Sequence, residues 1–316
     1  FKQKTAYEIG VRLVGSEMCI RDRFMTGLAV ALVLISAIAH ASWNLMVRRS
    51  NKPELTNWMM ATCGALLASP IAVYMFLTNP PSPVGWWYIL GTVILHIAYF
   101  FTLGRAYKHG DLSLVYPIAR GLGLVLIPVV GVTVLGESVS ILAGFGIIAI
   151  FTGVVMVGSS SGTGFKVWLK PKSVFADRGV LFALTTGMLI AAYSTLDKRG
   201  VEYVEPIFYM FCLTLGGSVG VLPIIARSYA SREFIVEIRT RWRIGLLGGM
   251  CQFLAYTLVL SAFRLSPVSY IGPFRELAIL IGVVLAVLVL KERVTRGRAA
   301  GAMAIGFGSL LVAIAP

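Results

Sequence analysis

Ten apolar runs follow one another along the chain, each about as long as a bilayer-spanning helix. Such a helix needs roughly 20 mainly apolar residues, whereas the strands of a membrane barrel alternate polar and apolar positions. The sequence therefore predicts an all-α integral membrane protein with ten transmembrane helices. The predicted crossings are residues 25–46, 55–78, 85–107, 112–135, 140–158, 179–198, 206–226, 243–262, 267–290 and 298–315.

The two halves of the chain repeat each other. At an offset that changes by only one residue, the matching positions are Ser113 and Ser269, Pro117 and Pro273, Arg120 and Arg275, Glu137 and Glu292, Gly146 and Gly301, and Gly153 and Gly308. Because each half has an odd number of crossings, the second half enters the membrane from the opposite side. This predicts inverted five-helix repeats at 25–158 and 179–316, joined by a linker at 159–178.

Loop charges predict an orientation. Lysine and arginine concentrate in the connections after odd-numbered crossings, whereas the even-numbered connections hold only Lys198, Arg199 and Arg264. The positive-inside rule then places the odd connections in the cytoplasm and both termini outside.

Residues 1–24 differ from the rest, since they are polar, carry both signs of charge and precede Met25. We interpret them as a non-native leader; the alternative is a native cytoplasmic arm.

Composition supports a multi-pass membrane protein, which we expect to lie in the inner membrane. Hydrophobic residues make up 57% of the 316 positions and charged residues 13%, whereas soluble domains have about 25% charged residues. The net charge of +14 sits in short loops, so it indicates orientation and not a nucleic-acid surface. Without metal-ligand spacing or a GxxxxGK[ST] loop, the sequence predicts no metal, cofactor or direct use of ATP.

Two arginines interrupt the apolar runs. Arg120 and Arg275 each lie eight residues into a crossing, and a charge there costs at least about 2.5–3.5 kcal/mol of insertion energy. Inversion brings both near the membrane midplane, where two guanidinium groups can grip one small anion. The alternatives are that they brace the bundle, with Glu276 as the obvious partner, or snorkel to an interface.

The neighbours of the arginines are candidates for gating and coupling. Pro117 and Pro273 each remove a backbone donor, which predicts either a gate in an opened helix or a static kink. Glu276 is a candidate for proton coupling, although Arg275 favours its permanent ionisation. His40 and His96 are candidate proton relays or, alternatively, packing residues.

Amphipathic side chains are expected to line the cavity around the arginines. The substrate-binding candidates are Tyr116, Tyr270, Trp43, Asn44, Tyr193 and Tyr256; each is otherwise a packing residue. Glycines in crossings 5 and 10 predict close helix packing, either between these crossings or at the seam of a homodimer. The expected partners are thus a small-molecule substrate and the lipid bilayer, with the chain a monomer or a homodimer.

Several stretches resemble the EamA-type members of the drug/metabolite transporter superfamily over essentially all of residues 25–316. The resemblance is carried by the segments 110–117 and 135–138 and the glycine-rich fifth crossing, which are echoed by 266–270, 290–293 and the tenth crossing. It implies two five-helix repeats around a central cavity and transport of small metabolites. Family members are usually drawn with cytoplasmic termini, opposite to the orientation that the loop charges predict.

The favoured hypothesis is a secondary transporter of a small organic anion or zwitterion that works by alternating access, and not an enzyme. The alternatives are a passive channel or a lipid-translocating protein. A membrane-embedded enzyme is less favoured, because its grouped nucleophile or metal ligands are missing.

Overall fold

The computed structural model describes residues 25–110, 112–159, 178–291 and 294–316. Helices are its only regular elements within these ranges. They are α1 Gly27–Arg48, α2 Pro53–Thr78, α3 Pro83–His109, α4 Leu112–Leu135, α5 Ile141–Ser159, α6 Arg178–Tyr203, α7 Pro206–Ser228, α8 Ser231–Leu265, α9 Val268–Phe274, α10 Leu277–Leu290 and α11 Arg296–Ile314.

These helices supply ten candidate membrane spans in the described part of the chain, with α9 and α10 together forming one span, Val268–Val289. The predicted fold class, all-α with ten transmembrane helices, is thereby confirmed. The predicted leader at 1–24, most of the linker and Glu292 lie outside the described residues.

The eighth crossing is much longer than its apolar run. Residues 231–242 were predicted to be a loop, yet α8 begins at Ser231 and bends at Arg241. Glu233 accepts a hydrogen bond from the Ala230 amide and pairs with Lys52 at 2.7 Å. Backbone hydrogen bonding does not need apolar side chains, so the helix continues where the hydropathy signal ends.

The bundle has an apolar exterior and polar groups in its interior. Leu66, Leu77, Ile141, Leu288 and Met303 are each more than 60% exposed. Thr56, Thr92, Thr186, Ser194 and Asp197 are fully buried. This distribution suits a lipid environment, where buried polar groups must find partners within the protein.

Packing between the repeats is more extensive than packing within them. Each of these contacts has an equivalent in which the roles of the two repeats are exchanged. Helix α1 packs on α8, and the equivalent pair is α6 on α3. Helix α4 packs on α6, and the equivalent pair is α10 on α1. The pairs α2 with α7, α4 with α9, and α5 with α11 each join equivalent crossings. The interior is therefore shared by both repeats.

Glycines allow a close approach between α5 and α11. A Cβ at Gly153 would lie 2.5 Å from the Gly301 carbonyl oxygen, and one at Gly146 would lie 2.7 Å from that of Gly308. The sequence predicted that these glycines pack either between crossings 5 and 10 or at the seam of a homodimer. In the structure they pack crossing 5 against crossing 10.

Polar caps also join the two repeats. The Glu137 carboxylate accepts the amides of Val268 at 2.8 Å and Ser269 at 2.9 Å, so it caps α9 of the other repeat. Within the second repeat, Lys198 of α6 donates to the carbonyls of Phe263 and Ser266 at the end of α8.

Substitution of Gly153 by alanine is expected to lower the free energy of unfolding by about 1–3 kcal/mol, because the methyl group would force α5 away from α11. Thermal unfolding in detergent micelles measures the change. Gly144→Ala is the matched control on the same helix, since nothing lies within 4 Å of its Cβ position. Equal effects of the two substitutions would contradict a tight seam at Gly153.

Candidate functional site

An ion cluster joins the repeats inside the bundle. Arg120 of α4 places Nη1 3.2 Å from Glu276 Oε1, and Arg275 places Nε 3.8 Å from the same oxygen. The Glu276 side chain is only 7% exposed. One carboxylate is thus shared by two guanidinium groups from equivalent positions in the repeats, so its charge neutralises only one of them.

Arg275 retains unused hydrogen-bonding capacity. Its Nη2 donates to the Tyr193 hydroxyl at 3.4 Å, and its guanidinium lies over the Tyr193 ring at 5.9 Å. Its Nε is buried and has no hydrogen-bond partner among the described residues. An unsatisfied charged donor in a buried site is costly, which points to an acceptor from water or a ligand.

The backbone brings Arg275 and Glu276 together at the junction of α9 and α10. The Glu276 amide donates to Pro273 O at 3.0 Å, and the Ile279 amide donates to Glu276 O at 2.8 Å. These i to i+3 bonds tighten the helix for one turn, as in a 3₁₀ helix. The junction after Pro273 is therefore overwound. By contrast, the equivalent Pro117 of the first repeat lies inside an uninterrupted α4.

Arg120 of the cluster is enclosed by protein but remains partly accessible. Arg120 lies deep among other side chains, near the charge of Glu276 and the phenol groups of Tyr99, Tyr116 and Tyr193. Yet 23% of its side-chain surface is accessible. A side chain that is enclosed by protein but still accessible lines a cavity.

Aromatic side chains form the wall beside Arg275. The His96 ring lies 4.2 Å from that of Tyr193 and 5.8 Å from that of Tyr256. Tyr99 lies 5.7 Å from Tyr193. The charges of both arginines act on His40, whose ring contacts Trp43 at 5.1 Å. The Trp43 Nε1 is buried without a partner among the described residues.

Most of the candidates from the sequence thus gather around one space. The structure brings together Arg120, Arg275, Glu276, Tyr116, Tyr193, Tyr256, His40, His96 and Trp43.

Two candidates lie elsewhere. Tyr270 is 1% exposed. Its hydroxyl accepts a hydrogen bond from the Ser140 amide at 3.1 Å and donates one to Pro316 O at 3.2 Å. These bonds connect α9 to the start of α5 and to Pro316, which follows α11. Asn44 is exposed and donates to the His40 carbonyl of its own helix at 2.8 Å. Neither side chain bonds to the ion cluster.

Asp197 is the acidic residue that the sequence reading missed. The predicted crossing 6 ended at residue 198, so Asp197 stood at its very end and was not considered as an interior acid. Helix α6 continues to Tyr203, and Asp197 is fully buried. One feature of the sequence could have revealed Asp197 as an interior residue. Val201 and Val204 follow it at the spacing of one helix face, which indicates that the helix continues past the charged residues.

An open groove of about 480 Å³ lies between α4 and α5, and its lining includes none of the charged residues of the cluster. It is lined by Val125, Val129, Ile148, Phe151 and other mainly apolar side chains. Several of these residues belong to the exposed exterior, so the groove faces the region that lipid occupies. Its lining has no charged group with which to recognise a polar solute.

Comparisons with known proteins agree with this architecture. A family model described as "EamA-like transporter family" matches residues 27–159 and 177–314. A solved protein described only as "Crystal structure of protein" has a similar fold with a TM-score of 0.70, at 16% identity over 90% of this chain and 95% of that one. That low identity supports the fold alone. No curated protein matches the chain.

The Arg120–Glu276 pair is expected to be energetically coupled. In a double-mutant cycle with Arg120→Met and Glu276→Gln, the coupling energy should be about 1–3 kcal/mol, because each single variant leaves a partly buried charge without its main partner. Unfolding in mixed micelles supplies the four free energies.

The control cycle uses Arg199 and Glu202, an ion pair of 3.4 Å whose side chains are 46% and 43% exposed. Solvent screening should leave this pair with little coupling. Additive effects at Arg120 and Glu276 would show that the interior pair does not stabilise the bundle.

Proposed function

Because the chain belongs to the EamA-like transporter family, we propose that it is a secondary transporter of small organic anions or zwitterions. The observation that carries this proposal is the sharing of Glu276 by Arg120 and Arg275. Two fixed positive charges meet one negative charge, which leaves one positive charge for a solute. A carboxylate or phosphate group matches the guanidinium geometry.

The unsatisfied Arg275 Nε supports the same reading. A bracing pair in an apolar interior would satisfy its donors fully, because an unmade hydrogen bond there costs about 1–3 kcal/mol. A solute oxygen placed beside Nε would restore the missing bond. Candidate solutes are amino acids, carboxylic acids and phosphorus-containing metabolites.

Transport would proceed by alternating access around this cavity. The ion cluster spans the two repeats, so movement of one repeat against the other changes the access to it. The tightened turn at Arg275 and Glu276 is a candidate hinge, because a short 3₁₀ stretch within a helix often marks one. As a multi-pass protein the chain is proposed to lie in the inner membrane, as a monomer or a homodimer.

A passive channel or a lipid-translocating protein is the competing proposal. The apolar groove between α4 and α5 favours contact with lipid tails, but the charge cluster lies elsewhere. Counterflow in proteoliposomes separates these cases. A carrier exchanges labelled for unlabelled solute faster than it moves either alone, and a channel shows no such stimulation.

A thermal-shift screen of the purified protein tests the anion site. We expect a carboxylate, an amino acid or a phosphonate to raise the unfolding temperature of the wild-type protein, since a ligand that binds only the folded state stabilises it. Arg120→Ala and Arg275→Ala should each abolish the shift, because each removes one guanidinium from the grip.

Arg199→Ala is the matched control. It removes an equal charge from an exposed ion pair outside the cluster, so the shift should persist. A shift that survives in either interior variant would exclude that arginine as a ligand. The absence of a shift with every probe would count against an anion site in this cavity.

A further inference from the structure

Asp197 is a second interior acid, and its surroundings differ from those of Glu276. It lies on α6, is fully buried, and forms no salt bridge with any described side chain within 4.0 Å. Its Oδ1 accepts the Tyr209 hydroxyl at 2.8 Å, and its Oδ2 accepts the Tyr256 hydroxyl at 2.5 Å. Two phenols from α7 and α8 therefore hold the carboxyl group.

We infer that Asp197 is the proton-binding site of the transporter. The inference rests on the proposed transport function and names the ion that drives it. Two observations carry it: the donor chemistry around each acid, and the chain of contacts that links Asp197 to Arg275.

The donor chemistry separates the two acids. A guanidinium carries a fixed positive charge and only donates hydrogen bonds, so the charges of Arg120 and Arg275 favour Glu276 as a carboxylate. A phenol hydroxyl both donates and accepts. With Asp197 ionised, both phenols donate to it, as observed; with Asp197 protonated, its O–H donates to one phenol oxygen while the other phenol still donates. The tyrosine partners thus satisfy either protonation state.

The charged and titratable groups that face Asp197 come from every helix around it. They are His96 of α3, Tyr209 of α7, Tyr256 of α8, Tyr193 on its own helix, and Arg275 beyond Tyr193 and Tyr256. Arg120 of α4 also lies near Tyr193. The neighbouring Lys198 turns away to the carbonyls that end α8.

Contacts connect this acid to the ion cluster. Arg275 Nη2 donates to the Tyr193 hydroxyl at 3.4 Å, and the Tyr193 ring lies 6.5 Å from that of Tyr256, whose hydroxyl bonds to Asp197. Tyr256 is partly exposed, so it stands between the cavity and the buried acid. A proton arrives as Tyr256 passes its hydroxyl proton to Asp197 Oδ2 and takes another from cavity water.

Protonation changes the balance of charge in the interior. With Asp197 ionised, Arg120 and Arg275 face two carboxylates, Glu276 nearby and Asp197 beyond the tyrosines. With Asp197 protonated, one positive charge is left without a counter-charge, which favours an anionic solute at the cluster. Proton and anion would then move together, by linkage between the two sites.

Infrared difference spectroscopy of the purified full-length chain in lipid nanodiscs tests the inference without any transported solute. Spectra are compared from about pH 5 to about pH 8, the range in which physiological proton switches operate. We expect the carbonyl stretch of a protonated carboxylic acid to appear on acidification. Asp197→Asn should remove the band, and Tyr256→Phe should shift it to higher frequency through the loss of one hydrogen bond.

Glu237→Gln is the matched control, since it changes a buried acid outside the ion cluster, and it should retain the band. The inference is overturned if the wild-type protein shows no such band, if Asp197→Asn keeps it, or if Glu237→Gln removes it. Should Asp197→Asn fail to fold in a thermal melt, Tyr256→Phe decides: a shifted band supports Asp197, and an unmoved band rejects it. Failure of the anion site appears separately, as the absence of any thermal shift with the solute panel.

Discussion

The contact on which the interior depends is that of one carboxylate with two guanidinium groups. Charges within a bilayer are tolerated when they are paired or face water, and Glu276 meets Arg120 at 3.2 Å and Arg275 at 3.8 Å. Arg120 comes from the first repeat, and Arg275 and Glu276 from the second. The cluster therefore exists only when both repeats are assembled, which ties the charged site to the packing of the whole bundle.

The cluster also shows how a duplicated fold becomes asymmetric. Arg120 and Arg275 occupy equivalent positions, but Gly121 follows the first arginine and Glu276 follows the second. Helix α4 runs through its proline, whereas the ninth crossing is interrupted at Arg275 and Glu276. The repeats thus share a scaffold, and one of them supplies both the acid and the tightened turn at the site.

Around this centre, the repeats are joined by contacts of different strength and kind. Gly146 and Gly153 let α5 meet α11 at backbone distance, and Glu137 caps a helix of the opposite repeat. Backbone groups on these seams have fixed partners. The cavity wall includes side-chain donors that have no hydrogen-bond partner among the described residues, such as the Arg275 Nε and the Trp43 Nε1. The seams between the repeats therefore have closely packed backbones, whereas the interior keeps polar side-chain atoms without a partner among the described residues.

Hydropathy and internal repetition were enough to determine the membrane class, the number of crossings and the two embedded arginines. Each is a local property: an apolar run must span lipid, and a charge within it must be compensated.

Pairing across 156 positions, as between Arg120 and Glu276, is not local, so the sequence left anion binding and bracing both open. Tyr270 was expected to line the cavity with the other amphipathic side chains, but its hydroxyl bonds to Ser140 and Pro316. Asp197 was lost because three successive charged residues end a hydropathy run, whereas only packing against Tyr209 and Tyr256 shows that its carboxylate is inside. Tertiary structure decided which polar groups meet, since partners that lie far apart in sequence are selected by the packing of helices and leave no periodic mark on the chain.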